Sequence, residues 1–207
     1  MGADTCRVEC RIESIGAAHL DGVVRIHMAA FPTFFLSFLG HAFLREFYGS
    51  FLSDPVGLGF VALSDDGRVL GVVVGPLNPS GYFKRLLKRR WWAFCLASVF
   101  AVLRRPTVLP RLFRAVVYRG ESPAGPVRAL LSSIAVDPQV QGGGVGRLLV
   151  ERWVAEVRAA GGTGCFLTTD ADGNEAVNTF YRKLGWKLEG SYLTTEGRRM
   201  NRYVLDF

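Results

Sequence analysis

Four of the six residues from Gln141 to Gly146 are glycine. Glycine loses more conformational freedom on folding than any other residue, so a cluster of it must answer a need for bare backbone. The cluster follows Val136-Asp137-Pro138, where an apolar run stops. It precedes Leu148, Leu149, Trp153 and Val157, which recur along one side of a helix. Strand, glycine turn and helix in this order build an anion site, because the first amides of a helix have no intrahelical acceptor and carry partial positive charge. Glycine lets an anion reach them without meeting a Cβ. Two phosphate loops do not fit. A P-loop needs Lys and Ser or Thr where Arg147-Leu148 stand, and a dinucleotide G-x-G-x-x-G begun at Gly144 would end on Leu149. A loose strand-to-helix turn without a ligand is the other reading.

The remaining chain predicts an α/β fold. Val8 to Glu13 alternates as a first strand. Ala17 to Ala30 has Leu20, Val23, Val24, Ile26 and Met28 at helical spacing, with His27 on the apolar stripe, where it reads as core. Pro32 ends that helix, the aromatic run of residues 31–40 reads as a loop, and His41 to Leu52 reads as a second helix. Leu58 to Leu63 and Val69 to Val74 flank the turn Ser64-Asp65-Asp66-Gly67 as a hairpin. Arg128 to Val136 reads as one strand, Gly144 to Ala160 as a helix and Gly164 to Thr169 as a strand. Asn174 to Leu184 is a helix stopped at Gly185, and Trp186 to Thr194 with Met200 to Phe207 is a closing hairpin over Glu196-Gly197. The order predicts a single domain over 1–207, a mixed central β-sheet with helices on both faces.

The net charge of +7 is unevenly placed. Residues 80–120 hold ten Lys or Arg and no acid, leaving 15 basic against 18 acidic residues elsewhere. This segment reads as a basic helical insertion, two helices split near Pro106 and Pro110. Its apolar run of 13 residues, 91–103, is shorter than the roughly 20 that span a bilayer. Two readings stay open: a flap that solvates its charge, or a peripheral membrane contact or surface for an acidic or lipid-linked acceptor. Nucleic acid is not expected, since no recognition motif accompanies the charge. Cys6, Cys10, Cys95 and Cys165 form no C-x-x-C pair, so no metal is expected and the thiols should be reduced. The polar N-terminal stretch has no apolar signal core, which predicts a cytoplasmic protein.

The glycine stretch resembles the Q/R-x-x-G-x-G/A signature of the GCN5-related N-acetyltransferases (GNATs), with Gln141, Gly144 and Gly146 on its defined positions. Asn174 to Trp186 resembles that family's N-x(6)-Y-x-x-x-G-[FW] segment, and the order of elements is similar outside residues 80–120. The resemblance implies the GNAT fold, with acetyl-CoA as co-substrate between two splayed strands ending at Val136 and Thr169. It implies that backbone amides of Gln141, Gly142, Gly143, Gly144, Val145, Gly146 and Arg147 hold the pyrophosphate. Ile134, Ala135 and Val136 would pair with the pantetheine arm, and an N–H near Ala135 or Val136 would polarise the thioester carbonyl. A neutral amine would attack directly. Tyr181 takes the place of the general acid that protonates the leaving thiolate, with a thiol pKa of about 8.5 and a phenol pKa of about 10 close enough for assisted transfer. Packing, or a hydrogen bond to CoA, is the alternative role for Tyr181. Asn174 would hold the pantetheine or cap its helix, and Asn178 and Lys183 join the cofactor-binding set.

The general base is open, because Ala129 to Ile134 offers no carboxylate. A water chain through Ser132 or Ser133 is one route, and Asp170, Asp172, His41 and Glu46 are others. The aromatic run of residues 31–40 lies where the family shapes its acceptor pocket. It is similar to a bacterial subgroup associated with surface-polysaccharide synthesis, which implies an amino sugar, free or nucleotide-linked, as acceptor. The expected function is acetyl transfer from acetyl-CoA to a primary amine of a small molecule. The alternatives are a non-catalytic acyl-CoA-binding or regulatory domain, and a membrane-surface acyltransferase acting on a lipid-linked acceptor. Members of the family often pair, which makes a homodimer through the C-terminal hairpin one expected arrangement, and the oligomeric state stays open.

Overall fold

The computed structural model describes residues 9–86, 88–89, 92, 128–194 and 197–207. The helices expected around Pro106 and Pro110, the thiols of Cys6 and Cys95, Val8 and the Glu196 half of the last turn lie outside them. At the start of the basic segment, residues 82–86 are helical.

β2 (Gly57–Leu63) and β3 (Val69–Pro76) form the antiparallel hairpin, with Phe60 opposite Val73 and Val61 opposite Val72. Successive side chains of a strand point to opposite faces. Val61, Leu63, Val72 and Val74 pack under α1 (Leu20–Ala30) and α3 (His41–Ser53), while Phe60, Ala62, Leu70 and Val73 pack under α4 (Val145–Ala159). Both faces are therefore covered, which is why these two strands read as apolar runs and not as alternation. β1 (Arg11–Ser14) pairs antiparallel with the outer side of β2. A single 3-10 turn, Ala17–His19, leads into α1, and the aromatic run contains the short helix α2 (Phe35–Phe38).

The segment expected to be one strand, Arg128 to Val136, is two. β4 (Ala129–Leu130) runs parallel to β6 (Gly164–Asp170), and β5 (Ser133–Val136) runs antiparallel to β3. The backbone changes partner between adjacent residues. Leu131 N–H donates to the Phe166 carbonyl at 3.0 Å, and Ser132 N–H donates to the Val74 carbonyl at 2.9 Å. The physical reason is that β3 and β6 diverge, so one straight strand cannot satisfy both. A close backbone approach at Gly75 accommodates the switch. A Cβ built there would collide with the Leu130 carbonyl oxygen and come within 2.9 Å of its carbon.

Among the described residues, the expected mixed sheet is thus two four-stranded sheets, β1-β2-β3-β5 and β4-β6-β8-β7, with β7 (Lys187–Leu193) and β8 (Arg199–Asp206) closing the second. α5 (Glu175–Lys183) packs Tyr181 against Trp186 and Tyr203 in the second sheet's core. Among the described residues, no helix is long and apolar enough to cross a membrane.

Candidate active site

The glycine loop hangs between β5 and α4. Asp137 begins it: its carboxylate accepts the Gln139 N–H at 3.0 Å, and Pro138 opens a 3-10 turn that ends at Val140. Gly142 and Gly144 then take φ of 85° and 89°, the left-handed region that a side chain disfavours. A Cβ built on either meets nothing within 4 Å, so the need for glycine at these two positions is conformational. Gly144 is the N-cap of α4, and the first helical bond runs from Leu148 N–H to the Gly144 carbonyl at 3.1 Å. The amides of Val145, Gly146 and Arg147 precede that bond, and they gather at the positive end of a 15-residue helix. This geometry fits a pyrophosphate. The Arg147 guanidinium is exposed and paired at 2.7 Å with Glu151 one turn along.

Beside the loop, β5 and β6 belong to different sheets. Ala135 is buried against the α1–α3 core, whereas Ile134 and Val136 pack against the α4 core. On its inner side β5 pairs with β3.

α5 supplies the third wall. Tyr181 is buried, its ring 5.1 Å from Phe180, 5.8 Å from Trp186 and 6.1 Å from Tyr203. Burial pushes its phenol above the ordinary value of about 10, so it stays protonated at neutral pH. Asn174 sits at the N-cap of α5 but makes no side-chain capping bond; its amide donates to Thr169 Oγ1 at 2.8 Å and ties α5 to the end of β6. Asn178 is buried and occupied. Its amide donates to the Asp170 and Asn174 carbonyls, and its oxygen accepts from Asn201 and Tyr203, which fills all four of its hydrogen-bonding positions. Lys183 is exposed at the end of α5, where it lines one shallow groove with Arg147, Glu151 and Trp186.

The candidate bases separate. Asp170 is bound through both carboxylate oxygens by Arg198, at 2.8 Å each, and Asp172 is paired with Arg199. His41 is exposed and lies 3.7 Å from Asp21, and Glu46 is half-buried on α3. Ser133 behaves differently. Its hydroxyl lies 3.1 Å from the buried Tyr48 hydroxyl, which lies 2.8 Å from His27 Nδ1. His27 is core, as expected, yet it also ends a polar chain that starts on β5. Nothing in the sequence signals this, since Tyr48 is simply one more apolar-stripe residue of α3.

A family model described as Acetyltransferase (GNAT) family matches residues 20–186. The fold is similar to that of the ribosomal-protein-S18-alanine N-acetyltransferase from Escherichia coli, with a TM-score of 0.57 at 18% identity over 96% of this chain and 94% of that one. It is similar to an N-acetyltransferase from Staphylococcus aureus Mu50, with a TM-score of 0.60 at 19% identity over 96% and 98%. It is also similar to the Drosophila melanogaster polyamine N-acetyltransferase, an enzyme that forms N-acetylagmatine, with a TM-score of 0.60 at 18% identity over 96% and 100%. No curated protein matches by sequence.

Proposed function

The chain belongs to the acetyltransferase (GNAT) family, whose members draw their acetyl group from acetyl-CoA, and on that premise we propose that it acetylates the primary amine of a small acceptor by direct attack. The observation behind this reading is the parting of β5 and β6 into separate sheets immediately before a loop of left-handed glycines at a helix N-terminus. Acetyl-CoA, when bound, supplies a thioester carbonyl for the amine to attack. The loop amides from Gln141 to Arg147 would neutralise its pyrophosphate, apart from that of Gly143, whose N–H donates to the Val140 carbonyl at 3.2 Å, with Arg147 and Lys183 adding charge at the rim. The free edge of β5 at Ile134, Ala135 and Val136 would take the pantetheine amides, and an N–H at Ala135 or Val136 would stabilise the oxyanion. Tyr181, protonated at neutral pH, would donate to the departing sulfur. Asn174 would meet the pantetheine from the end of β6. Asn178 serves the site through α5, which its four hydrogen bonds hold in place.

Within amines, we put an amino sugar bearing phosphate first. The reason is charge: ten Lys or Arg without an acid in residues 80–120 attract phosphate and repel a polyamine. The test has two stages. Calorimetry with acetyl-CoA should show binding, and its absence would sink the reading. Thiol release with a phosphorylated glucosamine, spermidine, agmatine and an alanine-starting peptide then identifies the acceptor class. Turnover with spermidine above the sugar would overturn the acceptor assignment. Binding without any turnover would favour a non-catalytic acyl-CoA-binding domain. Tyr181→Phe should lower kcat by about 10²- to 10⁴-fold with acetyl-CoA affinity unchanged.

A further inference from the structure

A buried polar chain runs from the strand switch into the helical layer. Ser133 Oγ lies 3.1 Å from Tyr48 Oη, and Tyr48 Oη lies 2.8 Å from His27 Nδ1. Tyr48 is 0% exposed and His27 1%. The far nitrogen of His27, Nε2, is buried with no hydrogen-bond partner, and the rings of Phe31 and Phe34 lie 5.2 and 6.3 Å from the imidazole. One end of the chain is therefore at the switch, and the other is under the aromatic run of residues 31–40.

The chain has a preferred direction. A phenol is a good donor and a poor acceptor, since its oxygen shares electrons with the ring, while an unprotonated imidazole nitrogen is a good acceptor. The shorter contact, between Tyr48 and His27, is the one that direction strengthens; the longer one falls on the phenol oxygen as acceptor. The arrangement in which Tyr48 donates to His27 Nδ1 and Ser133 donates to Tyr48 uses the phenol as donor; it leaves the imidazole proton on the unpartnered Nε2, and the reverse direction needs that proton on Nδ1. In that arrangement the Ser133 proton is committed to Tyr48, and only lone pairs are left on its oxygen for a further partner.

We propose that the Ser133–Tyr48–His27 chain makes the Ser133 hydroxyl an obligate acceptor at the strand switch, where it holds an N–H of the incoming amine and aims its lone pair at the thioester. Ser133 and Ala135 share one face of β5, two residues apart, so Ser133 stands roughly 7 Å along the strand from where the thioester carbonyl is read to sit. Ser133 is the acceptor-binding residue, and Tyr48 and His27 are positioning residues that act through it. The imidazole is not a proton store. Burial lowers its pKa to about 4, so across the neutral range it is neutral and keeps one ring nitrogen bare as an acceptor. This inference rests on acyl transfer occurring at the switch.

Two measurements test it separately. The chain has three histidines, so nitrogen-15 shifts of the imidazole rings at pH 7 assign His27 without any substrate. We expect a bare Nδ1 and a protonated Nε2, with the Nδ1 shift moved by Tyr48→Phe. A proton on Nδ1 reverses the chain and overturns the proposal. With whichever amine of the panel turns over, Ser133→Ala should lower kcat/KM for the amine about tenfold, Ser133→Thr should restore most of it, and Tyr48→Phe should fall between. Acetyl-CoA affinity should stay within about twofold in all three. Equal losses in acetyl-CoA binding and amine kinetics, or no rescue by Ser133→Thr, would mean a merely structural role and overturn the proposal. No turnover with any amine removes the acyl-transfer reading itself, and with it the amine-holding role; a reversed tautomer with turnover intact removes only this inference.

Discussion

The glycine loop and the strand switch are neighbours in sequence and opposites in kind. The loop, Pro138 to Gly146, is shaped by its own residues: Asp137 caps its first turn, Pro138 starts it, and two left-handed glycines set its path. The switch, Ala129 to Val136, is shaped by other strands: Phe166 claims one side, Val74 claims the other, and Gly75 makes room. A substrate site needs both. On the proposed function the loop would provide donors for an anion, and the switch parts β5 from β6, where the thioester would lie. Local chemistry made the first, and competition between two diverging sheets made the second.

The contrast can be tested by breaking each side. Gly75→Ala should cost more than about 3 kcal/mol, measured by urea unfolding, because the new methyl meets backbone that cannot turn away; an unchanged midpoint would mean the switch does not depend on that approach. The polar chain behind the switch predicts nearly as large an effect from pH. His27 has a folded pKa lowered to about 4 by burial, against an ordinary value of 6.5, so the unfolded chain binds its proton first. Stability from this group is complete above pH 6.5 and falls as pH drops towards 4, by about 3 kcal/mol in all. Chemical denaturation at several pH values in wild type and His27→Gln should show that loss in the first and not in the second. On the loop side, Gly144→Ala should cost about 1–2 kcal/mol from the left-handed backbone alone and weaken acetyl-CoA binding by about tenfold. Equal affinity would disconnect the loop from the ligand. Smallest is Asp137→Ala, about 1 kcal/mol, the loss of one cap seen as a small drop in Tm.

Much of this was legible beforehand. α1, α3, α4 and α5 and the hairpin β2–β3 follow from apolar period and from Pro and Gly punctuation, because each is decided within about a dozen residues. The expected strand over residues 128–136 concealed a break, since alternation cannot tell which neighbour a strand will pair with. Of the two roles expected for Asn174, holding the pantetheine or capping its helix, the side chain makes no capping bond and instead ties α5 to Thr169, and His27, expected in the core, is core with a polar errand through Tyr48 to Ser133.

The sequence by itself determined the glycine loop and the helix behind it, because capping, left-handed backbone and helical spacing are short-range physics. Only the tertiary structure decided where the strand changes partners, which side chains Asn178 satisfies and that Ser133 reaches a buried histidine. Those depend on hydrogen bonds between residues 21 to 85 positions apart, and no local preference encodes them.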